Sequence, residues 1–87
     1  MTGVLEIVVE ALLDCLMFLE LSDDEAVNPD DAVRMMEWVA HLLGDLSPAD
    51  KLHLTELTEA RAAREEDPDR REFLLDFPEA FALVEID

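Results

Sequence analysis

The chain is predicted to be all-α: a compact bundle of about four helices, forming one domain over residues 1–87, with a central, very apolar N-terminal helix. Three observations lead there. Capped, often proline-led helix starts recur at Ser22, Asn28-Pro29, Ser47-Pro48 and Asp67-Pro68. The stretch Val4–Leu21 is apolar at 14 of 18 positions, too long for an ordinary strand. Strand and hairpin signals are absent, since there is no Tyr and glycine occurs only at positions 3 and 44.

Helix 1 is expected over Val4–Leu21. Its acids Glu6, Glu10 and Asp14 recur every fourth residue, so they stack along one line of the helix, with Glu20 close to it. The apolar remainder covers about two thirds of the circumference, more than the single stripe of an ordinary surface helix. Such a helix is either wrapped by the rest of the chain or covered in part by another molecule. Cys15 lies opposite Glu6 on the helical wheel and is expected on the buried apolar side, as a small inert hydrophobe.

"SDDE" at 22–25 reads as a capping box, with Ser22 as N-cap and Glu25 at N3 of one short helical turn, Asp23–Val27. Asn28 then caps helix 2, expected from Pro29 to about Leu43. Ala32, Met35, Met36, Val39, Leu42 and Leu43 make its apolar face, and Trp38 stands at the border. Gly44 is expected to end it in the left-handed conformation. Ser47 caps helix 3, Pro48 to about Glu66, with an expected inner face of Leu52, Leu57, Ala60 and Ala63. Asp67-Pro68 starts helix 4, whose Phe73, Leu74, Phe77 and Phe81 form an apolar stripe. Pro78 is expected to kink it or to begin a last short helix reaching about Val84.

The charge excludes more than it selects. Asp and Glu total 23 against 6 Lys and Arg, a formal net charge of -17. Phosphate backbones and anionic membrane surfaces are repelled, so nucleic-acid and membrane binding are not expected. Carboxylates inside Val4–Leu21 argue against a membrane span, and the opening residues lack the basic region of a secretory signal. The single cysteine allows no intrachain disulfide, and a cytoplasmic protein is expected.

No reaction is legible. There is no Glu-x-x-His pair for a di-metal bundle, no EF-hand register and no Cys–His or Ser–His–Asp arrangement. No metal, cofactor or catalytic residue is therefore expected, and the chain is not expected to be an enzyme. The carboxylate ladder Glu6/Glu10/Asp14 is the sharpest feature, because like charges at i,i+4 cost a helix roughly 0.2–0.5 kcal/mol per pair. Solvent, the arginines at 61, 64, 70 and 71, or a basic partner could each offset it. The leading expectation is a small acidic module that binds a basic protein, in the manner of an immunity or antitoxin-type inhibitor. Glu6, Glu10, Asp14, Glu20 and Trp38 are its candidate partner-binding residues. The alternative is a non-catalytic homodimer or accessory subunit joined through helix 1.

Overall fold

The computed structural model describes residues 3–81 and 83. Four helices follow in order: α1 (Val4–Leu21), α2 (Pro29–Leu43), α3 (Pro48–Ala63) and α4 (Pro68–Ala80). Each of the last three begins as the local sequence dictates. Asn28 Oδ1 accepts the Asp30 and Asp31 N–H groups (2.9 and 3.3 Å), Ser47 Oγ accepts Asp50 N–H (3.1 Å), and Asp67 Oδ2 accepts Arg70 N–H (2.9 Å). A proline follows each cap, where its missing N–H costs no helical bond.

Helix α1 is central in that it packs against each of the other three, whereas α3 and α4 form the closest pair. The core joins Val9, Leu13, Leu16 and Met17 of α1 to Leu54 and Ala62 of α3 and to Leu74, Phe77 and Phe81 around α4. Phe73 lies tilted against Phe77, ring centroids 6.2 Å apart, and Phe77 stacks on Phe81 at 4.4 Å. The expected aromatic stripe is thus the hydrophobic spine of α4. The radius of gyration is 13.0 Å, against roughly 12 Å for a tightly compact chain of this length, so the bundle is slightly open.

Several local expectations change. The 22–27 turn is organised by Asp23, not Ser22: Asp23 Oδ1 accepts the Glu25 and Ala26 N–H groups, while Ser22 closes α1 by donating its own N–H to Phe18 O. Asp23 wins because Ser22 is already the C-cap of α1. Gly44 is right-handed (φ -62°, ψ -22°), and its N–H continues the helical pattern to Ala40 O (2.9 Å), so the chain leaves α2 through further turns. Helix α4 runs through Pro78 and ends at Ala80. Pro78 lies in its last turn, and no separate helix begins there. Val84 lies outside the described residues.

One helix faces differently from expectation, and another packs less deeply. Helix α3 is turned by about half a revolution: Leu54, Thr55, Thr58 and Ala62 are buried and Leu57 packs at the core margin, whereas Leu52, Ala60 and Ala63 are exposed. The threonines fit inside because each hydroxyl donates to a carbonyl one turn back, Thr55 to Lys51 O (2.9 Å) and Thr58 to Leu54 O (2.8 Å). Their methyl groups and small size then suit close approach to the phenylalanine-rich α4. Helix α2 keeps its expected face, with Ala32 buried and Met36, Val39 and Leu43 packed partly buried against the core, but leaves Met35 and Leu42 half exposed.

Candidate functional site

The carboxylate ladder meets the chain's own arginines. Arg61 Nε stands 3.7 Å from Glu10 Oε1 and Arg61 Nη2 3.9 Å from Asp14 Oδ1, while Arg70 Nη2 reaches Asp14 Oδ1 at 3.2 Å. Both arginines converge on a residue that the sequence did not single out, Glu65, in the α3–α4 link. Its Oε1 accepts from Arg61 Nη2 (2.9 Å) and Arg70 Nε (3.0 Å), and its Oε2 accepts Asp67 N–H (3.3 Å). Arg71 closes the same corner by donating from Nε and Nη2 to the Glu65 carbonyl (2.9 and 2.6 Å).

The side chains of Glu65 and Arg61 are only 12% and 14% exposed, so this is an inward-facing ionic hub. The Arg70 hydrogen bond, partly opposed by burial and helped by the Asp67 N–H and by Arg61, holds the Glu65 carboxyl down to about 2. The same bond raises the Arg70 guanidinium above its ordinary value. Arg61 Nε, by contrast, is buried without a hydrogen bond among the described residues, because the 3.7 Å approach to Glu10 is too long for one. The hub ties α1 to the α3–α4 corner. It offers no nucleophile or base aimed into a cavity.

Of the five sequence candidates, Glu10 and Asp14 come together at this hub, where internal arginines already engage them. Glu6 is exposed and makes no ion pair with a described cation. Trp38 is 56% exposed on α2 and stacks on His41, ring centroids 5.5 Å apart. Glu20 lies away from the ladder, beside α4, on the rim of a groove whose other acids are Asp69, Glu72 and Asp76. Sequence reading missed that wall. The available signal was the spacing of Asp69, Glu72 and Asp76 at i, i+3 and i+7, which puts them on one face of α4.

The apolar surplus of α1 is exposed. Its core side holds Val9, Leu13, Leu16 and Met17, while Val4, Ile7, Val8 and Phe18 are more than half exposed, Val4 at 81%. Cys15 is exposed as well, contrary to the burial expected of it. The apolar side opposite Glu6 is wider than the neighbours can cover, and Cys15 falls on the uncovered part. Among the described residues no helix is long and apolar enough to cross a membrane, and no group of three or more His, Cys, Asp or Glu could hold a metal ion. Comparison with known proteins gives no match: no family model, no curated protein and no solved structure is similar to this chain.

Proposed function

We propose that this chain is a non-catalytic, cytoplasmic protein-binding module for a basic partner, of which an immunity or antitoxin-type inhibitor is the concrete form. The observation that carries this reading is the uncovered side of α1. A helix in contact with all three others still presents Val4, Leu5, Ile7, Val8, Phe18 and Leu21 at 44% exposure or more. Apolar side chains of that extent, on a molecule of net charge -17, suit a partner that brings apolar anchors and positive charge together. The internal arginine hub moves the expected partner contacts away from Glu10 and Asp14, towards Glu6, Glu20 and the apolar residues beside them.

Native mass spectrometry on tagged protein drawn from its host's lysate tests this directly. A stoichiometric basic protein held at low salt and released at high salt is the expected result. A stoichiometric partner that is itself acidic, or one that salt does not release, would contradict the reading.

A second reading, a homodimer, is favoured by a specific pattern on the outer side of α1. Val4, Val8, Ala11, Cys15 and Phe18 are all exposed and follow one another at intervals of four and three, the spacing of a helix–helix seam. Salt separates the two readings. Two copies of a -17 chain associate more tightly as salt rises, whereas a complex with a basic partner weakens. Sedimentation of the purified chain across a salt series reads the first behaviour.

A further inference from the structure

One surface groove joins apolar lining to charge that the molecule leaves uncompensated. It follows the seam between α1 and α4. Its deeper part, about 390 Å³, has Met36, Phe73 and Phe77 in its lining and Glu20, Asp69, Glu72 and Asp76 around them. Leu21 and Asp69 continue into a more open stretch of about 470 Å³ that adds Met17, Phe18, Asp14 and Asp67. Phe18 and Leu21, 59% and 44% exposed, make an apolar lip. From Asp69 to Ala80 the α4 wall is roughly 17 Å long, enough for three turns of a docked helix.

Apart from Arg70, the charged side chains on this furrow are all acidic. All six Lys and Arg side chains are among the described residues, and none makes an ion pair with Glu20, Asp69, Glu72 or Asp76. Arg70, the one base in the lining, is engaged with Glu65 and Asp14. The carboxylates do not gather closely enough to hold a metal ion, so long cationic side chains suit their spacing better than a small ion does.

The geometry points to the α1–α4 furrow as the docking surface for a basic amphipathic segment of a partner protein. Its apolar side chains pack on Phe18, Leu21 and Phe73, and its Lys or Arg residues lie along Glu20, Asp69, Glu72 and Asp76. This deepens the basic-partner reading and rests on it. Charge complementarity selects the occupant. A second copy carries the same -17, with Arg34, Arg61 and Arg70 in its own ion pairs and Arg71 on its own Glu65 carbonyl, so only Lys51 and Arg64 are left to set against four carboxylates of this wall.

The test uses the full chain, isotope-labelled for amide NMR, and a synthetic three-turn peptide with Leu at i, i+3, i+4 and i+7 and Lys on the flanks. At low salt the peptide should shift the amides of Phe18, Leu21 and the 69–77 stretch. Calorimetry should show E72K/D76K weakening binding roughly tenfold or more, while E56K/E59K, an equal change of charge at exposed α3 sites outside the furrow, stays within about twofold. F18A, at an exposed position that leaves the core intact, should weaken binding several-fold as a second probe.

Equal weakening by both double variants, shifts centred on Val4–Val8, or no binding at all would overturn the assignment. So would furrow shifts produced by dilution of the chain alone, because they would mean that a second copy occupies it. A peptide that binds elsewhere in a salt-sensitive way sinks the furrow and leaves the basic-partner reading standing. An acidic or salt-resistant partner in native mass spectrometry sinks that reading whatever the peptide does.

Discussion

Glu65 shows how much a single side chain can decide here. Its carboxyl is held at about 2 in the fold, against 4.5 for an ordinary glutamate, chiefly by the Arg70 hydrogen bond. A depressed folded-state value contributes stability that is fully present above the ordinary value and is lost as pH falls towards the folded one. Denaturant melts of the native chain should therefore lose a Glu65-dependent increment between about pH 4.5 and 2, and E65Q should remove that increment from the pH profile. A native and an E65Q profile of the same shape over this window would show that the hub carries no such linkage. A second residue-scale contrast lies on α1. Leu13→Ala, at a fully buried position, should cost about 2–5 kcal/mol, whereas Cys15→Ser, at an exposed one, should stay within about 0.5 kcal/mol. Thermal melts read both. A large loss in C15S would place the thiol in the interior after all.

Helix α3 carries the element-scale lesson. Its start was legible, because Ser47-Pro48 followed by Asp50 is a local signal that needs no tertiary partner. Its orientation was not. Alanines and leucines pointed to Leu52, Leu57, Ala60 and Ala63, while the side that packs holds two threonines with satisfied hydroxyls and the largely buried Arg61. Polar residues count against burial in a pattern reading, yet each of these finds its hydrogen bond or ion pair within the fold. Leu52→Lys should accordingly leave the melting temperature nearly unchanged, within about 0.5 kcal/mol of stability, and Thr58→Lys should prevent cooperative folding. The reverse outcome in circular dichroism melts would restore the face expected from sequence. In α1 the wheel showed a surplus of apolar residues but not which part of it would meet the core. That is why Cys15 was misplaced while the ladder's approach to the arginines was foreseeable.

At the scale of the whole molecule, net charge opposes compaction. Twenty-three acids face six bases, and among the described residues three of those bases make ion pairs, with Glu10, Asp14, Asp31 or Glu65. The remaining acids repel one another at long range, a term that salt screens over roughly 10 Å at 0.1 M. The native chain should therefore gain thermal stability as sodium chloride rises from low to moderate concentration. A melting temperature that falls with salt would mean that the Arg61/Arg70/Glu65 hub outweighs the global repulsion. The same field bears on partners, since a -17 surface favours encounter with positive charge.

The sequence by itself determined the helices: about four of them, their starts and the ends of α1 and α2, whereas α3 stops at Ala63 short of Glu66 and α4 at Ala80. Caps, prolines and first-turn acids act through bonds between neighbours in the chain, so the information is local. It also determined the sign of the molecule's field and the excess of apolar surface on α1. Only the tertiary structure decided which faces meet. It turned α3 about half a revolution, left one side of α1 open, and drew Glu65 between two arginines brought near α1 by the α3–α4 corner. It also set Glu20 beside three acids of α4 over a phenylalanine-lined furrow. Such placements depend on how rigid helices of unequal apolar width share one small core. No spacing within a single helix encodes that.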